Sequence, residues 1–270
     1  MKRIAIFCVN YNSYEELSGY LDSLAVAVEE ASKARKEVNL DVFVADNTER
    51  NPQSFAPNIN SPSITYCLFP YHQNLGYFGA IGKMMKEVDV CPYDYVLVSN
   101  VDLTVAEDFF IKLAVYPCEE TTGWIAPQIH SCYEKRDKNP GLVKRYSLRK
   151  LKMLKALYCF PKLKRLYTQT FYRLKKYQCH PAGQIYAGHG SMLILTQNYF
   201  RLCGKIDYPI FLFCEELYLA EQCLKAGLKV EYVPIVKVED AEHVSTSRMD
   251  YRFYCRCNYE AISYIIKRFY

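Results

Sequence analysis

The sequence predicts an α/β protein: a mixed, mainly parallel sheet flanked by helices, as one domain over residues 1–270 with a basic helical insertion at 131–180. Three observations lead there. Short apolar runs alternate with stretches of helical periodicity in the order β-α-β-β-α-β, which favours parallel pairing through crossovers. Several of those runs end abruptly in Asn, Asp or Ser, at the edge where α/β sheets gather their ligands. The charge is also uneven. Residues 134–177 hold fifteen of the thirty-four Lys and Arg but two of the twenty-nine Asp and Glu, so that segment carries +13 and the remainder −8.

Residues 4–9 are continuously apolar, as in a strand buried on both faces. Asn10-Tyr11-Asn12-Ser13 ends the run. Ser13 suits a helix N-cap, with Glu16 at the capping-box position and Glu15 in the first turn. Leu17, Leu21, Leu24 and Val28 then recur at helical spacing, and the helix is expected to reach about Lys36. Residues 40–45 form a second strand with Asp46-Asn47 at its end. A loop rich in Asn, Pro and Ser leads to a third strand at 64–69. Asn74-Leu75-Gly76 precedes a helix marked by Ile81, Met84, Met85 and Val88.

The fourth strand, 93–99, runs into Asn100-Val101-Asp102. If the chain stays extended there, residues 100 and 102 face one side. An amide oxygen and a carboxylate would then converge on one small charged object, such as a hard divalent cation that completes its shell with phosphate. A polar turn is the structural alternative. A helix is expected at 105–115 and a strand at 122–129. In the basic segment Leu148, Leu151, Leu154 and Leu157 fall at steps of three among Lys and Arg, which predicts one or two basic amphipathic helices. Strand-like sequence returns at 186–195, then a short helix from Tyr199. The apolar run 210–214 meets Glu215-Glu216. Leu217, Ala220, Leu224 and Ala226 mark a helix that Gly227 stops. A strand at 230–238, a polar loop with His243 and a helix at 250–268 complete the chain.

Half of the residues are hydrophobic, enough for a sizeable core. Twelve cysteines without CxxC spacing read as reduced, mostly buried thiols and not as a zinc site. The start runs straight into a strand without a secretory apolar region. No apolar run approaches the roughly 18–20 residues that span a bilayer. The expectation is a cytoplasmic protein, soluble or peripheral on the inner face of the membrane. Residues 141–177 suit an anionic membrane surface, with an ordinary solvated helical subdomain as the plainer reading. No nucleic-acid module accompanies them, so nucleic acid is not an expected partner.

The polar groups at predicted strand ends, with the acidic pair at a helix start, resemble the family-2 glycosyltransferases of GT-A fold. The likeness is greatest to the rhamnosyltransferase-like branch of bacterial surface-polysaccharide synthesis. It rests on Val9-Asn10-Tyr11-Asn12-Ser13, Val44-Ala45-Asp46-Asn47, Asn74-Leu75-Gly76-Tyr77-Phe78-Gly79 and Ser99-Asn100-Val101-Asp102. Further on it rests on Gly190-Ser191-Met192-Leu193-Ile194, Phe211-Leu212-Phe213-Cys214-Glu215-Glu216, Ala226-Gly227-Leu228-Lys229-Val230 and the stretch from His243 to Ser247. It covers nearly the whole chain outside about 131–180.

The resemblance implies an inverting, metal-dependent hexosyltransferase that moves a sugar from a nucleotide-sugar donor to a glycan or lipid-linked glycan acceptor. It implies donor contacts from Asn10, Tyr11, Asp46, Asn74, Gly76, Asn100 and Asp102, with Asp46 recognising the base. Asn100-Val101-Asp102 matches a DxD-type motif with Asn in first place, so Asp102 and His243 would hold a divalent metal, Mn or Mg. Glu216 matches the general base, and Glu215 could share or take that role. Tyr218 stands where relatives often carry Asp. Residues 100 and 216 depart from the commoner types, which leaves a catalytically silent GT-A protein binding nucleotide or glycan as the alternative. A nucleotidyltransferase would need a phosphate-cradling Gly/Lys loop after the first strand, and Asn10-Tyr11-Asn12-Ser13 is not one.

Overall fold

The computed structural model describes residues 1–270 apart from 53, 54, 56, 58–60, 171–179 and 242–248. The amino-terminal half consists of β1 (Lys2–Asn10), α1 (Tyr14–Lys33), β2 (Val38–Asp46), β3 (Ile64–Pro70), α2 (Tyr77–Glu87) and β4 (Tyr95–Ser99). Next come β5 (Leu103–Val105), α3 (Phe109–Val115), β6 (Thr122–Ser131) and the two-residue β7 (Arg136–Asp137). The basic segment supplies α4 (Leu148–Cys159) and α5 (Pro161–Thr170). The chain closes with β8 (Gly183–Ile185), β9 (Met192–Thr196), α6 (Gln197–Cys203), α7 (Glu215–Lys225), β10 (Lys229–Asp240) and α8 (Tyr251–Phe269).

Among the described residues the strands form one sheet in the order β3-β2-β1-β4-β9-β6-β10-β5, with β7 beside β6 and β8 beside β10. The β3, β2, β1 and β4 pairings are parallel, as is β6 with β10; β9 runs antiparallel to both of its neighbours. Period-two alternation explains the continuous apolar runs. Ala5 and Phe7 of β1 face one core, while Ile4, Ile6 and Cys8 face the other. The first core lies under α2, α6, α7 and α8, and the second under α1 and α3.

Several expectations shift. Residues 103–105 are a strand and not a helix start: Leu103 and Val105 are buried with Thr104 exposed between them, and β5 pairs antiparallel with β10. The Ser13 side chain does not cap α1. Asn10 Oδ1 takes the Ser13 N–H at 3.0 Å, and the Ser13 hydroxyl donates to the Tyr11 carbonyl at 3.4 Å. Helix α1 ends at Lys33, where Arg35 turns left-handed with φ 56°. Residues 186–191 are a loop between β8 and β9. The thiols are not mostly buried: Cys8, Cys223, Cys255 and Cys257 are, but Cys67, Cys91, Cys132 and Cys159 are exposed.

In the basic segment Ser147 caps α4, accepting the Lys150 N–H at 3.2 Å. Helix α4 buries Leu151 and Leu157 and packs on α8. Helix α5 buries nothing, and its Leu163 and Leu166 are half exposed. No described helix is long and apolar enough to cross a membrane. Arg145, just ahead of α4, anchors the segment. It donates twice to the buried Glu221 of α7, at 2.7 Å to each oxygen, and lies 4.0 Å over the Tyr270 ring. The Tyr186 hydroxyl donates to the same carboxylate at 2.6 Å. Removing one partner of a buried pair strands the other charge. Arg145→Ala is therefore expected to destabilise the protein by about 2–3 kcal/mol in chemical denaturation, below the full buried-pair cost because Arg145 is 39% exposed.

Candidate active site

The chain lays β2 and β3 on one side of β1, then crosses to the other side for β4. The crevice beyond the ends of β1 and β4 is thus a topological switch point, where α/β sheets place ligands. Asn10 and Asp46 end their strands in register. The Asp46 carboxylate is 1% exposed and fully engaged. It accepts from Asn10 Nδ2 (3.0 Å), the Thr48 N–H (3.1 Å) and the Tyr14 hydroxyl (2.8 Å), with His72 Nδ1 at 3.9 Å. It clamps the two strand ends together, and Tyr11, at 39% exposure, is the accessible member of the group.

Asn74 and Gly76 stand at the start of α2. Asn74 Oδ1 accepts the Gly76 N–H at 3.2 Å, and Asn47 Nδ2 donates to the Gly76 carbonyl at 3.1 Å. Gly76 is left-handed, with φ 72°, and a Cβ there would lie 2.0 Å from the Phe211 carbonyl oxygen. Only glycine satisfies both constraints. Sequence reasoning gave Asn47 no role of its own. It is nevertheless buried at this edge, with Oδ1 lacking a hydrogen-bond partner among the described residues.

Strand β4 ends at Ser99 and the chain bends at residues 101 and 102, so the extended run expected through residue 102 stops short. Asn100 and Asp102 are partly exposed, and the Asp102 carbonyl accepts the Ala241 N–H at 3.2 Å. The Asn100 N–H bonds to the Ser191 carbonyl at 2.9 Å, which brings the 188–191 loop to this edge. Two further bonds fix that loop. Tyr77 of α2 donates to the Gly190 carbonyl at 3.1 Å, and the Gly190 N–H donates to Glu216 Oε1 at 3.1 Å. Beside them His189 Nδ1 lies 3.0 Å from Ser191 Oγ, and the His189 N–H reaches Asn139 Oδ1 at 2.7 Å. His189 entered the sequence reading only as part of a strand; the signal in view was its place between two glycines.

The acidic pair opens α7 after two successive left-handed residues, Phe213 (φ 75°) and Cys214 (φ 63°). Non-glycine residues rarely take that conformation, and it concentrates at functional sites. Glu215 Oε1 accepts the Phe213 N–H at 2.9 Å, and the Tyr208 hydroxyl donates to the Phe213 carbonyl at 2.6 Å. Glu215 is buried and Glu216 partly exposed. Burial, and then the neighbouring Glu216 carboxylate, push the Glu215 pKa up to about 8. A helix N-terminus favours an ionised carboxylate by only about 0.3–1 kcal/mol, less than the desolvation of a buried one costs. Tyr218 is a core residue, 5.0 Å from the Tyr208 ring centre and 6.0 Å from that of Phe269.

Among the described residues no three His, Cys, Asp or Glu side chains group as metal ligands, and His243 lies outside those residues. Asn100 and Asp102 offer an amide oxygen and a carboxylate. That donor set fits a hard cation that keeps waters and takes phosphate oxygens, and does not make a closed protein cage. Cavities of about 340 and 390 Å³ lie elsewhere, lined by Tyr186 and Leu228 in one case and by Phe200 and Lys205 in the other. Neither is lined by a predicted site residue.

A Cβ on Gly190 would sit 2.6 Å from Glu216 Oε1, the mobile end of a side chain. Gly190→Ala is expected to leave the thermal midpoint nearly unchanged while displacing Glu216, so that turnover falls about tenfold or more. Gly76→Ala meets rigid backbone at a left-handed φ and is expected to cost about 1–3 kcal/mol in stability on denaturant melts.

No family model matches the chain, and no curated protein matches it. Solved structures do. S. aureus TarS, residues 1–349, aligns with TM-score 0.54 and 9% identity over 90% of this chain and 61% of that one. The same protein in complex with UDP-GlcNAc aligns with TM-score 0.54 and 9% identity, over 93% and 62%. GalNAc-T7 with UDP, GalNAc and Mn2+ aligns with TM-score 0.56 and 12% identity over 91% of this chain and 45% of that one. The chain thus spans about 45–62% of the length of these neighbours. At such identities the likeness concerns the fold, and that fold is GT-A, the mostly parallel sheet flanked by helices of these glycosyltransferases.

Proposed function

We propose that this protein is an inverting, metal-dependent glycosyltransferase acting on a nucleotide-sugar donor. The observation that carries the reading is the 188–191 loop. Its Ser191 carbonyl is bonded to Asn100, next to the candidate metal and phosphate ligands, and its Gly190 N–H is bonded to the candidate base Glu216. One turn thus ties the candidate phosphate-binding edge to a partly exposed carboxylate. The neighbours add support: one was solved with UDP, GalNAc and Mn2+ and another with UDP-GlcNAc.

In this reading Asn10, Tyr11, Asp46, Asn74 and Gly76 shape the donor pocket. Asn100 joins the donor contacts, and Asp102 and His243 would hold the cation, which when bound would supply positive charge to the diphosphate leaving group. Glu216 takes the proton of the acceptor hydroxyl as its oxygen bonds to the anomeric carbon. The bond from that carbon to the diphosphate oxygen breaks on the opposite face. A single displacement inverts the centre and needs no second carboxylate as nucleophile. The acceptor is a glycan or lipid-linked glycan of bacterial surface polysaccharide, and a rhamnosyl-type transfer follows the family resemblance.

Residues 141–177 dock the enzyme on an anionic membrane, at the cytoplasmic face. Support comes from α5, where Leu163 and Leu166 are 50% and 55% exposed beside Lys162 and Arg165, and from Phe160 at 60% exposure. Apolar side chains flanked by cations adsorb to anionic bilayers. Leu163→Ser with Leu166→Ser is expected to lower cosedimentation with phosphatidylglycerol vesicles severalfold without altering the melting temperature. Unchanged sedimentation removes the docking role.

The active-site reading is tested by thermal shift with UDP, dTDP, GDP and CDP, each with and without Mn2+ or Mg2+. One nucleotide is expected to stabilise the protein only with metal, by about 2.7 kcal/mol at a hundredfold excess over Kd, and not in Asp102→Ala. Metal-dependent nucleotide binding without sugar turnover would favour the silent scaffold, and a flat panel would count against both.

A further inference from the structure

We infer that Glu215 is a positioning residue, an internal clip that fixes the left-handed Phe213-Cys214 turn and leaves Glu216 as the single base. The inference rests on the glycosyltransferase reading of this site and divides the work of its two carboxyl groups.

The geometry separates the two. Glu215 is 7% exposed and its Oε1 accepts the N–H of Phe213, two residues back. The same residue's carbonyl is held by the Tyr208 hydroxyl. Phe213 is thus gripped at both backbone polar groups, in a conformation that costs about 1–3 kcal/mol if left unsupported. Glu216 points its bond the other way, to the Gly190 N–H, and is partly exposed. An acceptor hydroxyl can reach the second carboxylate, whereas the first is enclosed. The groups whose charges act on this corner are Glu216 from the same helix, Cys214 in the turn, Tyr208 ahead of it and Tyr77 from α2. Burial and Glu216 both favour a neutral Glu215, with the backbone N–H groups of Phe213 and Glu215 opposing.

The sign of the pH dependence follows. Glu215 binds a proton in the folded state that the unfolded chain releases above the ordinary carboxylate pKa of 4.5, up to about 8. Its contribution to stability is therefore complete below pH 4.5 and lost progressively as pH rises towards 8. The test is the thermal midpoint from pH 5.5 to 9 for the wild type, Glu215→Gln and Glu216→Gln. The wild type and Glu216→Gln should lose several degrees across this range, and Glu215→Gln, which keeps an acceptor for the Phe213 N–H, should lose much less. Equal slopes in the wild type and Glu215→Gln, or no slope in the wild type, overturn the inference without reference to any ligand.

Turnover supplies the second arm, read as hydrolysis of UDP-sugars. Glu216→Gln should reduce it about a hundredfold or more. Glu215→Gln should reduce it only about threefold at pH 7, and Glu215→Ala should lose more than Glu215→Gln. If Glu215→Gln is the inactive variant and Glu216→Gln retains turnover, Glu215 is the base and the inference fails. Loss of nucleotide binding in the wild type would instead strike the function while leaving the pH slopes to judge the clip.

Discussion

Gly190 carries the two hydrogen bonds on which the working edge depends. Its carbonyl takes the Tyr77 hydroxyl and its N–H goes to Glu216, while the next residue bonds to Asn100. Three elements that are far apart in sequence, α2, α7 and the end of β4, meet through one loop. A Cβ at position 190 would come within 2.6 Å of Glu216 Oε1, so a side chain there would displace the carboxylate. The loop is held from behind by Asn139, which receives the His189 N–H and donates to the Pro127 carbonyl. The site's geometry is therefore carried by backbone groups on a rigid scaffold, which suits a reaction governed by alignment of donor, base and leaving group.

Buried charge is handled differently in different parts of the molecule. Asp46 and Glu221 are each about 1% exposed, and both are surrounded by donors: Asn10, Tyr14 and Thr48 in one case, Arg145 and Tyr186 in the other. Both carboxylates have hydrogen-bond donors at each side-chain oxygen. Glu215 meets only the backbone N–H groups of Phe213 and Glu215 and has another carboxylate as neighbour, so burial and that neighbour push its pKa up. The contrast, together with the strained turn before it, sets the start of α7 apart from the stabilising polar clusters. Unusual ionisation and backbone strain coincide where the chemistry is proposed.

Much of this was legible in the sequence. Apolar runs ending in Asn or Asp marked β1, β2 and β4, and in β1 the run is continuous because burial on both faces leaves little room for polar residues. Other features were illegible for definite reasons. Three residues, Leu103 to Val105, are too short for periodicity to separate a strand from a helix start, and only pairing with β10 decides it. Ser13 matched a capping box, yet Asn10 reached the orphan N–H first. The motif residues were found one by one, but their convergence depends on the 188–191 loop, whose sequence looked like a strand. The ionisation of Glu215 depends first on burial, which has no local signal, and then on the adjacent Glu216.

The most direct test of the account is a crystal structure grown with UDP and Mn2+, with anomalous scattering used to locate the metal. The account predicts a manganese peak bonded to Asp102, the diphosphate in the crevice beyond β1 and β4, and the Glu216 carboxylate facing the space next to it. Nucleotide or metal bound elsewhere, such as in the cavity lined by Phe200 and Lys205, would contradict it.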